Sequence, residues 1–326
     1  MITPGLYRRS LRRGLRWRVL LLWWAALAIP GAIASAPAFA FLSARLGHSP
    51  RAPEVVAWMD GSTLIELIRQ LEEGGASRSL LLGLASSVLV LLVCSPYVAG
   101  AMVASARTDE PLPLGILLAR AGELYGRMLR VSLFGLVPLA VGGGLTAGIV
   151  KLVVEADRKA LTETSANRVR LAGACAAALV LFLSHLWTEC ARAQFAADPD
   201  RHSAIAALLR GVRVMLQSPW RAIAVGALGT VVGLGLALGL MALRLQIAQS
   251  GAWSMALAWL LAQAAQVAIG WGRSLRIEGL AELSRAAAAV RARQLSPVPP
   301  PTPGAPEPLH STPGSTPEPP PSGAAR

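Results

Sequence analysis

The chain has 326 residues, 54% of them hydrophobic, and a mean hydropathy of +0.51, values that exclude an ordinary soluble globular protein. Lys and Arg number 31 against 18 Asp and Glu, a formal net charge of +13. The positive residues sit at the ends of apolar runs, where bilayer topology favours them, so no nucleic-acid partner is expected.

In chain order, residues 1–18 form a basic segment, amphipathic over 5–18. Arg8, Arg9, Arg12, Arg13, Arg16 and Arg18 can meet anionic lipid, and Trp17, Trp23 and Trp24 suit the headgroup level. The same outline, followed by Ala34-Ser35-Ala36, also fits a secretory signal with a cleavage site, and Arg8-Arg9 a twin-arginine signal. The apolar run continues to Leu42, longer than a signal core, which favours a retained first helix.

Six long apolar segments then follow, at about 19–42, 80–105, 131–153, 171–193, 222–243 and 253–272. About 20 helical residues, at 1.5 Å rise each, match a hydrocarbon core of about 30 Å. The expected fold is therefore all-α, a polytopic membrane bundle of six transmembrane helices, spanning 19–294, with amphipathic surface helices. With the N-terminus in the cytoplasm, the cytoplasmic pieces hold 21 Lys and Arg and the outer pieces 10. That bias puts both termini inside. Arg outnumbers Lys 29 to 2, a codon bias of GC-rich bacteria, so the expected location is a bacterial inner membrane.

Between the spans, Thr63-x-x-Glu66 reads as a capping box opening a short surface helix over 62–74. Residues 112–127 predict a cytoplasmic amphipathic helix with Pro113 in its first turn and Arg120, Glu123 and Arg127 on one face. A second lies over 199–217, with Asp198 as the cap and Pro199 first in the helix. Basic amphipathic segments end in Arg and enter a span three times, at Arg18-Val19, Arg130-Val131 and Arg221-Ala222, separated by 112 and 91 residues. This is either an internal repeat or three applications of the positive-inside rule. Residues 274–294 predict a cytoplasmic helix after the last span. The tail, 295–326, is expected to be disordered, because 12 of the last 31 residues are Pro.

Segment four holds one conspicuous polar cluster. His185 and Glu189 are four apart and share a helix face; Arg192 follows three later. Ionisable groups inside a membrane are costly, so a proton relay or half a metal site is one reading. The other is positional: Glu189 and Arg192 pair at the cytoplasmic interface, with Arg201 or Arg210 as further partners. Gln263 and Gln266 in segment six either line a solute path or bond between helices. Gly229-x-x-x-Gly233, Gly235-x-x-x-Gly239 and Gly144-x-x-x-Gly148 predict close helix contacts, and Pro96 and Pro138 predict kinks. Cys94, Cys175 and Cys190 read as buried apolar side chains rather than a disulfide framework. No constellation implies a cofactor or a catalytic residue.

The stretch 187–223 resembles uncharacterised bacterial six-helix integral membrane proteins. The matching positions are Glu189, Ala191-Arg192, Asp198, Asp200, Arg201, Ser203-Ala204 and Pro219. The helix plan is distantly similar to the membrane domain attached to some glycerophosphodiester phosphodiesterases. The catalytic domain of those enzymes has no counterpart in the sequence, so the resemblance implies a fold and a location without a reaction. The expected role is non-enzymatic, a membrane-organising or accessory subunit, with a small-solute or proton-coupled transporter as the alternative. Its expected partners are the bilayer, anionic lipid at the cytoplasmic face, and protein partners or a second copy.

Overall fold

The structure, a computed structural model, describes residues 15–47, 69, 76–160, 162–247 and 251–295, and its regular elements are all α-helical with no strand among them. They are α1 (Trp17–Leu46), α2 (Ala76–Ala106), α3 (Leu114–Phe134), α4 (Leu136–Arg158), α5 (Glu163–Ala197), α6 (Ala204–Gln217), α7 (Pro219–Leu245) and α8 (Ala252–Leu295). Six helical stretches are long and apolar enough to cross a membrane, one being the continuous run Leu114–Arg158. The chain is thus a multi-pass membrane protein. The predicted surface helix at 62–74 apart from Arg69, the basic segment before Leu15 and the Pro-rich tail beyond Leu295 lie outside the described residues.

Three boundaries differ from the sequence expectation. The amphipathic helix predicted over 112–127 runs on to Phe134, and the break before the span falls at Gly135 rather than Arg130. Pro138 explains the place: it lacks the N–H that would bond the Phe134 carbonyl, so a continuous helix fails there. It sits in the first turn of α4, where no bond is lost, and so it ends one helix instead of kinking another. Helix α6 starts at Ala204, capped by Ser203, whose Oγ accepts from the Ala206 N–H at 3.3 Å. Asp198 ends α5 instead of starting α6. Segment six and the predicted helix 274–294 are one unbroken helix, α8. Pro96 lies within α2, which runs on past it.

The helices pair as hairpins, α1 with α2 and α4 with α5. Only 6–28% of each apolar window is buried, so most of each span faces its surroundings, which in a bilayer are lipid. Leu89, Val141, Leu152 and Leu238 are among the exposed side chains. The dense core sits at one end of the bundle. It joins the ends of α2 and α5 to α3, α6, the start of α7 and the middle of α8, and it contains Val103, Leu117, Met128, Phe195 and Ile277. This end is called the base below.

The base is built from a repeated unit. Tyr97 of α2 donates its phenolic proton to the Leu118 carbonyl of α3 at 2.9 Å. Ninety positions later, Trp187 of α5 donates Nε1–H to the Leu208 carbonyl of α6 at 3.1 Å. Gly100 lies against the Ala121 backbone; at the same shift, Gly211 lies against Cys190 and Ala191. The caps Pro113 and Ser203 also differ by 90. Ala101, Ala191 and Ala281, one on each of α2, α5 and α8, keep the same spacing and are all fully buried. A small side chain at each of these points lets the helices close on one another.

Small residues also set the approach of α7 to α8. A side-chain carbon on Gly233 would stand 2.9 Å from the Gly272 Cα, and one on Gly229 would stand 2.7 Å from the Gly272 carbonyl oxygen. The motif Gly229-x-x-x-Gly233 is therefore a helix contact. Gly235, Gly239, Gly144 and Gly148 face open space, so the other two motifs make no contact within the described residues.

Candidate functional site

Helical spacing brings His185, Glu189 and Arg192 to one face of α5, and the packing of α8 turns that face inward. Glu189 is fully buried. Its Oε1 accepts from Arg192 Nη1 at 2.7 Å and from Arg273 Nε, on α8, at 3.2 Å. His185 Nε2 lies 3.6 Å from the same oxygen, with its ring partly exposed. A lone carboxylate at this depth would be very costly; two guanidinium partners with hydrogen-bond geometry offset much of that cost.

The arginines carry the node outward. Arg192 Nη2 donates to Ser132 Oγ of α3 at 3.4 Å. The Arg273 guanidinium stacks 5.3 Å from the ring centroid of Trp23 on α1. Arg276, one turn further along α8, donates Nη1–H to Thr230 Oγ1 of α7 at 2.9 Å, and its charge also acts on Glu189. One carboxylate thus ties α5 to α8, and its arginines reach α1, α3 and α7. Glu189 Oε2 and Arg192 Nε are buried without a hydrogen-bond partner among the described residues.

The further partner of Glu189 is Arg273, where the sequence points to Arg201 or Arg210. Arg201 Nη2 bonds Asp198 Oδ2 at 2.7 Å, in the turn after α5. Sequence spacing found the Glu189–Arg192 pair because it is local. Arg273 stands 84 positions away and carried no local signal; only its place just past the last apolar segment set it apart.

Gln263 and Gln266 do not share one role. Gln263 Oε1 accepts from Trp24 Nε1 at 2.7 Å, an interhelical bond between α8 and α1. Gln266 takes the neighbouring Trp23 Nε1–H on its backbone carbonyl at 2.9 Å, while its side-chain oxygen is buried without a partner among the described residues. Trp23, bonded to Gln266 and stacked on Arg273, is the link between the glutamine pair and the Glu189 node.

A second polar centre closes the base. Arg285 Nη2 of α8 donates to two carbonyls at once, Ala106 at the end of α2 (2.7 Å) and Ala196 at the end of α5 (3.1 Å). These two residues are again 90 apart. Arg107 Nε and Nη2 donate to the Phe195 carbonyl at 3.0 and 2.8 Å. Each cation meets the negative end of a helix dipole and satisfies carbonyls that have no partner within their own helix. Burial, with Arg127 and Arg120 nearby, holds the Arg107 pKa below its usual value.

The three cysteines are free thiols; Cys190 is buried, Cys94 half-buried, and Cys175 exposed on the outer face of α5 rather than buried as expected. Comparison with family models, with curated proteins and with solved structures finds no match to this chain.

Proposed function

We propose that the chain is a non-enzymatic organising or accessory subunit of a bacterial inner membrane, with its base and both termini in the cytoplasm. The observation that carries this reading is the state of Glu189. The one fully buried carboxylate among the described residues is engaged by Arg192 and Arg273 and serves to join helices. Gln263 is likewise engaged by Trp24. Glu189 and Gln263, two of the polar groups that would suit a solute path, are thus engaged in holding α1, α5 and α8 together.

The orientation rests on charge. The base end carries Arg16, Arg18, Arg107, Arg120, Arg127, Arg201 and Arg285, and positive residues favour the cytoplasm. Reporter fusions at residue 110 and residue 205 should read cytoplasmic, and fusions near 60 and 160 external. The role is tested in proteoliposomes loaded with a pH dye. The natural chain and Glu189→Gln should give the same proton leak under an imposed gradient. A proton-coupled flux in the natural chain that Glu189→Gln abolishes would overturn the reading and put a transporter in its place.

A further inference from the structure

Between α1 and α8 a groove of about 530 Å³ opens on the flank of the bundle. Leu21 and Trp24 form one wall, and Trp259, Leu260 and Gln263 the other. The lining presents almost only carbon, and the one amide in it, Gln263, has its oxygen taken by Trp24 Nε1. The volume is that of a small-molecule pocket. Both walls belong to apolar windows long enough to cross the membrane, so the groove opens onto hydrocarbon in a bilayer.

The mouth of the groove is different in kind. Trp17 lines the groove and also a second, smaller recess of about 20 Å³, shared with Arg16, Arg18 and Leu112. That recess has room for about one water-sized group. The Arg18 guanidinium stacks 5.4 Å from the Trp17 ring centroid. Its Nη1 donates to the Leu112 carbonyl at 2.7 Å, a neutral acceptor that leaves the positive charge in place. A carbon-lined groove thus ends, at Trp17, on a fixed cation. An apolar chain joined to an anionic head has the same plan.

We propose that the groove holds an acyl chain of an anionic phospholipid, with its phosphate on Arg18 beside Trp17. The chain supplies apolar contact to Leu21, Trp24 and Trp259. The phosphate supplies the charge that Leu112 cannot, and the indole of Trp17 sits at the boundary between the two, as interfacial tryptophans do. The site does not depend on which side of the membrane the base faces, nor on whether the protein organises or transports.

The test uses the full chain released from mixed micelles into native mass spectrometry, with phosphatidylglycerol and phosphatidylcholine of identical acyl chains. The natural chain should retain phosphatidylglycerol about fivefold better, the effect of one arginine near the surface. Arg18→Gln should bring the two lipids close to parity. Ala264→Trp, which fills the groove from α8, should lower retention of both. Equal retention by the natural chain, or a preference that survives Arg18→Gln, would overturn the proposal. A measurement on the natural chain stands beside the variants: tryptophan quenching in nanodiscs should be stronger with acyl-brominated phosphatidylglycerol than with acyl-brominated phosphatidylcholine. Equal quenching overturns the proposal. So does a dimer that Ala264→Trp converts to monomer with lipid retention unchanged, since the groove would then belong to a second copy.

Discussion

Arg273 on α8 donates to Glu189 on α5 across 84 positions of the sequence, and the acceptor is the same oxygen that takes Arg192. Breaking a buried ion pair by removing one partner typically costs about 3–5 kcal/mol. Glu189→Gln should therefore lower stability by about that amount in an SDS-unfolding titration. Arg273→Gln should cost less, about 1.5–3 kcal/mol, because Arg192 stays on the carboxylate. The double variant should cost less than the sum of the two. Strict additivity would show that the two groups do not act on each other.

The glycines of α7 and α8 divide into a packed set and an open set. Gly272→Ala should destabilise the fold by about 1–3 kcal/mol, because the new methyl meets the backbone of Gly229 and Gly233. Gly239→Ala faces open space and should be neutral or stabilising by up to about 1 kcal/mol, the usual helix preference of Ala over Gly. Thermal unfolding in detergent separates the two. A loss of stability in Gly239→Ala would point to a packing partner for that face.

Arg285 closes the ends of two helices, and its removal should open both. Arg285→Met keeps most of the apolar stem and deletes the donors. Stability should fall by about 1.5–3 kcal/mol per charge-assisted bond at most. Amide exchange should quicken at the ends of α2 and α5 together, around Ala106 and Ala196. Faster exchange at only one of them would mean that the shared donor serves a single helix.

The Asp198–Arg201 pair sets an acid-side dependence. The Arg201 hydrogen bond holds the Asp198 carboxyl below its ordinary value of 3.8, and partial burial opposes it. The folded pKa is depressed, so the stabilisation is fully present above pH 3.8 and is lost as pH falls through the folded value. Asp198 is substantially exposed, so the effect is small, about 0–1 kcal/mol. Melting temperatures of the natural chain and Asp198→Asn should differ slightly at pH 6 and converge below pH 3.8. A gap that persists in acid would assign Asp198 a role other than charge.

The long apolar runs made the fold readable, because a span has to be continuous and each run declared itself without reference to any other. The contact of Gly229 and Gly233 with a neighbouring helix was readable for a similar reason, though nothing in their spacing tells that motif from the open ones at Gly235 and Gly144. Helix ends were harder. Asp198-Pro199 has the chemistry of a helix start, yet Ser203 won the cap, since the chain first needs a turn to carry α6 back under α5. The Glu189 site was half legible: its pairing with Arg192 lies within one turn, whereas Arg273 arrives only through the docking of α8. The three basic junctions, spaced unevenly by 112 and 91, leave a repeat and the positive-inside rule as alternatives, and the repeat of the base is a different one. Its regular spacing of 90 lies in backbone contacts such as Tyr97 to Leu118, which tolerate a phenol in one copy and an indole in the other.

The placement of Arg273, Arg276 and Arg285 on α8 has a consequence for how the chain is made. Arg273 and Arg285 serve a carboxylate of α5 and carbonyls of α2 and α5, and Arg276 serves a hydroxyl of α7. At a synthesis rate of about 5–20 residues per second, Arg273 follows Glu189 by roughly 4–17 s. During that interval α5 is already committed to the bilayer with Arg192 as its carboxylate's partner from its own helix, and two helix ends lack their shared cap. Among the described helices α8 is made last, and it closes the Glu189 node. A chain halted before α8 should be the form that a membrane quality-control protease recognises, and supplying α8 as a separate polypeptide should rescue it.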